Sequence, residues 1–219
     1  MTKYFRIFET HADYEAAKSS LTLPNVSICE DQPNVVHYNP DVPAETRVLA
    51  KFNVTDTSSP TQIVGCYSNY YPDPFVCLSA FTSIEIDGVE LPSVVSAYTF
   101  ETTGEHTLKY TLQDPTEIVE YAFSECSNLT SVTFPDGVTK VIGDAFRDCI
   151  NLQTVVLPNS LTNIYDFGFN GCENLRSINI NADYITYIGY GAFCYCYKID
   201  NATYDLIGEI SGHQAFYCD

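Results

Sequence analysis

The 219-residue chain has no tryptophan, only 10 lysines and arginines against 28 aspartates and glutamates, and histidines only at His11, His37, His106 and His213. Each shortage excludes something. A formal net charge of −18 repels phosphate backbones, so nucleic acid is not an expected partner. No apolar run approaches the roughly 20 residues that span a bilayer as a helix, so no membrane span is expected. Residues Met1 to Glu9 lack a basic stretch followed by an apolar one. If Met1 is the native start, a secretory signal is not encoded here. The patterns G-x-S-x-G, G-x-x-x-x-G-K-[ST] and G-x-G-x-x-G are all missing. The histidines lie far apart, and no catalytic residue or cofactor is expected; the chain reads as a non-enzyme. Acidic turns at Asp31, Asp87 and Asp136 do not build a D-x-[DN]-x-[DN]-G loop, so they read as solvated turns rather than calcium sites.

What is present is a repeat. The nine cysteines are an odd number, which sits badly with a simple disulfide framework. Cys126, Cys149, Cys172 and Cys196 instead recur at steps of 23, 23 and 24, as do Phe123, Phe146, Phe169 and Phe193. Four segments, beginning at Ile118, Val141, Ile164 and Ile188, share [IV]-x-x-x-[AG]-F-x-x-C-x-x-[LI]-x-x-[VIA]-x-[FLIY]. A period in this range marks a solenoid whose coils bury their apolar columns only by stacking. The last pair, such as Val132 and Phe134, reads as a short strand. Ala122 to Leu129 places apolar residues three apart, which suits a short helical or 3₁₀ turn. Pro135-Asp136-Gly137 and Pro158-Asn159-Ser160 are turns. Val138, Leu161 and Ile185 mark a second inward segment. The fourth copy places Ile199, Ala202 and Tyr204 in the strand columns. A fifth begins near Ile210, with Ala215-Phe216, and reads as a worn coil or cap. The cysteine column has no histidine companions and no C-x₂-C pair, so it reads as buried small apolar residues and no metal is expected. Cys194 of Cys194-Tyr195-Cys196 lies off the column and leaves an incomplete ligand set.

The stretches Ala122-Phe123-Ser124-Glu125-Cys126-Ser127-Asn128-Leu129 and Ile142-Gly143-Asp144-Ala145-Phe146 resemble the BspA-type (Treponema-type) leucine-rich repeat, over about residues 116–219. The resemblance implies a solenoid, and a family of surface adhesins and other host-associated surface proteins.

Residues 1–45 read as a small β-α-β-β module: a strand over Lys3–Glu9, a helix over Thr10–Lys18, and strands Val26–Cys29 and Val35–Tyr38 joined by a polar turn around Asp31–Asn34. Pro24 to Glu30 and Val35 to Pro40 are similar to N-terminal modules on structural proteins of gut, crAss-like bacteriophages. Residues 46–114 carry candidate strands at Arg47–Val54, Gln62–Cys66, Phe75–Leu78, Ser83–Ile86, Tyr98–Glu101 and His106–Leu112, a spacing that suits a β-sandwich. Ile84 to Gly88 and Tyr98 to Tyr110 resemble the Ig-like modules that precede such repeats. The expected fold is mixed α+β and β-dominated: attachment module 1–45, Ig-like sandwich 46–114, solenoid 115–219.

Strand alternation leaves Ser131, Thr133, Thr154, Val156, Ser177 and Asn179 pointing outward as a polar strip. Lysines at 133, 156 and 179 should then leave folding intact. Tyrosines crowd the last coils, Tyr190 and Tyr197 among them. They either fill a worn repeat or form a contact surface. The reading that follows is a non-enzymatic virion structural protein held by its N-terminal half, with a bacterial surface adhesin as the alternative. Its partners would be other virion or surface proteins, a host protein or a glycan, with self-association a further option.

Overall fold

The computed structural model describes residues 4–7, 26–29, 32–38, 46–65 and 75–218. The chain divides into two compact units, Met1–Thr46 and Arg47–Asp219. In the first, β1 (Tyr4–Ile7), β2 (Val26–Cys29) and β3 (Gln32–Tyr38) form an antiparallel sheet in the order β1-β3-β2. The third strand starts at Gln32, so the polar stretch expected as a turn is largely strand. The helix expected over Thr10–Lys18 lies outside the described residues.

The second unit begins with β4 (Val48–Val54), β5 (Thr61–Gln62), β6 (Phe81–Ile86), β7 (Val89–Glu90), β8 (Ala97–Tyr98) and β9 (Gly104–Leu112). Alternation is clear along β4, where Val48, Ala50, Phe52 and Val54 are buried and the residues between them are not. The segment Phe75–Leu78, expected as a strand, is a one-turn helix, α1. A four-residue apolar run carries no period that separates the two states. Strands β4, β9, β6 and β7 lie in one antiparallel sheet, and β5 and β8 form a two-stranded ribbon. The described strands of 46–114 are therefore one sheet and a ribbon, where two facing sheets were expected.

The repeat supplies two parallel ladders. One runs through β10 (Glu117–Ile118), β12 (Lys140–Val141), β14 (Asn163–Ile164) and β16 (Tyr187–Ile188). The other runs through β11 (Leu129–Thr133), β13 (Thr154–Val156) and β15 (Ser177–Ile178). This second ladder does not stop at the first coil. β11 pairs antiparallel with β4, Val132 opposite Ala50 and Thr133 opposite Leu49. The result is one seven-stranded sheet, in the order β15-β13-β11-β4-β9-β6-β7.

Between the ladders, Phe123, Phe146, Phe169 and Phe193 are fully buried and stack with centroids 5.0, 5.0 and 5.4 Å apart and planes within 11° of parallel. The first ring also packs edge-on against Tyr110, at 5.0 Å, and Phe81, at 5.5 Å, so the solenoid and the strands β4, β6 and β9 share one core.

The phenylalanine segment is a series of single turns: the i→i−3 bonds of the expected helical or 3₁₀ turn are present, but they do not run on into a helix. Residues two before and two after each Phe take positive φ: Tyr121, Asp144, Phe167 and Gly191, then Glu125, Asp148, Gly171 and Tyr195. A left-handed residue ends a helix. Backbone N–H groups then alternate in direction. Those of Ser124 and Cys126 donate within the coil, to Tyr121 and Phe123 carbonyls, while those of Phe123 and Glu125 donate to Ala145 and Arg147 of the next coil. The pattern recurs at Phe146 and Phe169, so a segment without regular structure still satisfies its buried backbone.

The fourth copy departs from the expected strand. Asn201–Ser211 is an α-helix, α2, capped by Asp200, whose carboxylate accepts from the Thr203 N–H at 2.9 Å, and closed by Gly212 at φ 63°. Ala202 and Tyr204, assigned to inward strand columns, are exposed on this helix. The fifth copy's turn is present as a 3₁₀ turn, Gln214–Phe216, whose Gln214 and Ala215 carbonyls accept from Gly191 and Phe193 N–H.

Candidate binding surface

Hydrogen bonding divides the polar side chains of the coils into two groups. The first group serves the backbone of the preceding coil. Thr139, Thr162 and Thr186 donate their hydroxyls to the carbonyls of Thr116, Thr139 and Thr162, at 3.0, 3.1 and 3.4 Å. The carboxamides of Asn128, Asn151 and Asn174 donate to Asn53, Ser127 and Ile150 carbonyls at 2.8–2.9 Å. The thiols of Cys149, Cys172 and Cys196 donate to the carbonyls of Phe123, Phe146 and Phe169 at 3.0, 3.2 and 3.2 Å. Burial raises all three thiol pKa values, that of Cys196 to about 12, so at neutral pH none supplies a thiolate for nucleophilic attack or metal binding. Sequence reasoning found the cysteine column but not the threonine and asparagine columns, although both repeat at the same period.

The second group faces outward on the seven-stranded sheet. Ser177, Thr154, Ser131, Lys51 and Thr107 lie in one row across β15, β13, β11, β4 and β9. Val156, Thr133, Leu49, Lys109 and Glu85 form the row beside it. The two rows thus run from the coils onto β4, β9 and β6, which add charge to them. Lys51 pairs with Glu105 at 2.8 Å, and Glu85 takes Arg47 at 2.8 Å and Lys109 at 3.8 Å. Where β11 meets β4, the pairing shifts between Leu129 and Ser131. An open groove of about 450 Å³ lies there, lined by Lys51, Asn53, Glu105, Ser131, Gln153 and Thr154. Thr130 also lines it, but its hydroxyl is given to the Lys51 carbonyl at 3.1 Å.

Asn179 belongs to the first group despite its exposure. Its carboxamide accepts from the Leu157 N–H at 2.6 Å and donates to the Leu157 carbonyl at 2.9 Å, continuing the ladder where β15 has ended. A lysine there removes both bonds, so the expectation that it leaves folding intact is corrected. Tyr190 and Tyr197 do not join the strip's ladder. Tyr190 follows β16 in the other ladder, half-buried near Phe167 and Tyr217 at 5.8 Å each. Tyr197 is 67% exposed beside Tyr195.

His106 is buried inside the sheet with both ring nitrogens engaged, Nδ1 to Asp87 at 2.6 Å and Nε2 to the Thr102 carbonyl at 2.9 Å. Burial works against its charge, but these two acceptors outweigh it and raise its pKa. Asp87 is lowered: burial opposes this, and the bonds from His106 and the Thr107 N–H prevail. No free catalytic base results. Cys194 bonds to Cys218, a disulfide across 24 residues that ties the last phenylalanine turn to the end of the described chain. Its signal in the sequence was a separation of one coil. Among the described residues no cluster of His, Cys, Asp or Glu could hold a metal ion, and no helix is long and apolar enough to cross a membrane.

The profile of the BspA type leucine-rich repeat region matches residues 93–218, in six copies. Among solved structures, the chain is similar to a T. pallidum leucine-rich-repeat protein, at 31% identity over 43% of this chain and 44% of that one, with a TM-score of 0.41. A leucine-rich cell surface protein from Faecalibacterium prausnitzii is 35% identical over 36% of this chain and 20% of that one, at a TM-score of 0.31. A leucine-rich-repeat protein from Bacteroides ovatus is 23% identical over 47% of this chain and 30% of that one, at a TM-score of 0.35. The chain spans less than half the length of each. No curated protein matches it.

Proposed function

The chain belongs to the BspA-type leucine-rich-repeat family, and from that premise we propose that it is a non-enzymatic recognition protein of the bacterial cell surface, which offers the outward face of its seven-stranded sheet to a partner. The observation that carries this reading is the division of the polar side chains. Neighbouring columns of Thr, Asn and Cys are spent on the backbone. Ser131, Gln153 and Thr154, with Asn53 beside them, make no side-chain hydrogen bond among the described residues. Groups that the fold does not use are the ones left for a ligand. The Cys194–Cys218 bond fits an oxidising exterior. Strands β4 and β9 widen that face beyond the coils. The virion reading, with attachment through residues 1–45, gains no support from the relatives found.

Labelling of intact source bacteria with an antibody to residues 115–219 tests the location, and brief protease treatment of whole cells should remove the label. Attachment of the purified chain to host-cell monolayers tests the face. Thr133→Lys with Val156→Lys should abolish it; each site costs about 0.5 kcal/mol or less, and repulsion between the two register partners adds up to about 1 kcal/mol. Unlabelled cells, or attachment indifferent to both lysines, would contradict the proposal.

A further inference from the structure

We propose that the groove where β4, β9, β11 and β13 meet binds a neutral oligosaccharide, an inference that rests on the sheet face being the recognition surface. All of its lining is polar or charged: Lys51, Asn53, Glu105, Ser131, Gln153 and Thr154, with Thr130. The core of a protein–protein interface draws its affinity from buried aromatic and aliphatic anchors, and this lining has none. Its single cation is matched by its single anion, at 2.8 Å. The groove is thus locally neutral on a chain of net charge −18, a setting that favours an uncharged ligand over a polyanion.

The uncommitted groups suit hydroxyls. Asn53 and Gln153 each present a donor and an acceptor side by side, the arrangement that holds two adjacent sugar hydroxyls. Ser131 and Thr154 are register partners on adjacent parallel strands, about 4.8 Å apart by the spacing of a sheet. That spacing is close to the advance of one hexose along an extended chain. Ser177 continues the row on β15, so an oligomer has a track leading out of the groove along the solenoid. The ladder of fixed strands places these groups before the ligand arrives, which lowers the entropic cost of binding.

The test uses the full chain and a panel of cellohexaose, mannohexaose and N-acetylchitohexaose as neutral probes, with a heparin hexasaccharide as the anionic one, read by microarray and then by titration calorimetry. At least one neutral probe should bind and heparin should not. Asn53→Ala with Gln153→Ala should weaken binding by about tenfold or more, the loss of one or two hydrogen bonds, with the thermal midpoint measured alongside to show that the variant folds. Thr154→Val, which keeps the side chain's shape, should weaken it less. Three results overturn the proposal: no neutral probe bound at millimolar concentration, heparin bound in preference, or neutral binding unchanged in these variants. Attachment to host cells that Thr133→Lys with Val156→Lys abolishes, without any saccharide bound, keeps the recognition face and makes its ligand a protein. Attachment indifferent to those lysines removes the face itself.

Discussion

At its N-terminal end the stack of coils meets a strand; at its C-terminal end it meets a helix. Both ends face the same difficulty, since the outermost coil would expose apolar columns and unpaired backbone groups. At the N-terminal end the answer is backbone continuity. β4 supplies the strand that a preceding coil would have supplied. Gly65 N–H and the Gln62 carboxamide donate to Ala122 and Ser124 carbonyls, at 2.8 and 3.0 Å, as a preceding turn would. At the C-terminal end only the turn is copied, by Gln214–Phe216. α2 packs over the rest and a disulfide holds it. One end therefore extends the sheet face, and the other terminates it. The difference explains why the groove lies at the N-terminal junction.

The largest loss is expected from the middle of the stack. Phe146→Ala removes a ring stacked on both neighbours and should cost about 3–5 kcal/mol. Chemical denaturation should show the loss, and limited proteolysis should open both ends together, because each coil depends on the next. Cleavage confined to one end would mean the coils are not a single stack. Next in size is the C-terminal end alone. Cys194→Ser with Cys218→Ser frees a 24-residue loop and should cost about 2–4 kcal/mol. Hydrogen exchange should rise across 189–218 and stay unchanged across Val48–Val54.

The N-terminal counterpart is Gly65→Ala. A Cβ there would clash with the Tyr121 carbonyl oxygen and the Ser124 nitrogen, both backbone atoms that cannot swing aside. Overpacking of this kind costs about 1–3 kcal/mol. Exchange should rise at Ala122 and Ser124 and leave α2 untouched, the mirror image of the disulfide variant.

The smallest effect belongs to β9 and the turn between β6 and β7, and to pH. His106 has a raised pKa in the fold, so its contribution is complete below about 6.5, the ordinary histidine value, and is lost as pH rises through the raised value. Asp87 is lowered, so its contribution is present above about 3.9 and is lost as pH falls through the folded value. The pair stabilises most between these limits. With Asp87's side chain 49% exposed, solvent screening should keep the effect under about 1 kcal/mol. Thermal midpoints of the chain and of Asp87→Asn, measured from pH 4 to 9, should differ most near pH 5–6 and converge towards pH 9; a constant difference would assign the pair no linkage.

How far the sequence was legible follows the same divide. Columns of Phe, Cys, Leu and Val could be read because stacking forces identical environments at one period. The Thr and Asn ladders went unread because polar residues at a period look like ordinary surface until their hydrogen bonds are seen. Ala202 and Tyr204 were misplaced because spacing alone cannot tell a worn strand from a replacement helix. The capping signals Asp200 and Gly212 were nonetheless present. The pairing of β4 with β11 was invisible, since a strand's long-range partner leaves no local mark. Strand alternation was readable, and Val132, Val155 and Ile178 are buried between less buried neighbours. The groove was not readable, because Lys51, Asn53 and Glu105 reach it only through the pairing of β4 with β11.

Strands β4, β9, β6 and β7 form one sheet with β11, β13 and β15 of the coils, and native-state hydrogen exchange across β4 and β11 under increasing denaturant is the sharpest test of that fusion. The fused sheet predicts that Leu49–Phe52 and Leu129–Thr133 lose protection together, with a common free energy of opening, and that Gly65→Ala lowers both. Loss of protection in Leu129–Thr133 while Leu49–Phe52 stays protected, or the reverse, would show two separately folding domains and contradict the account.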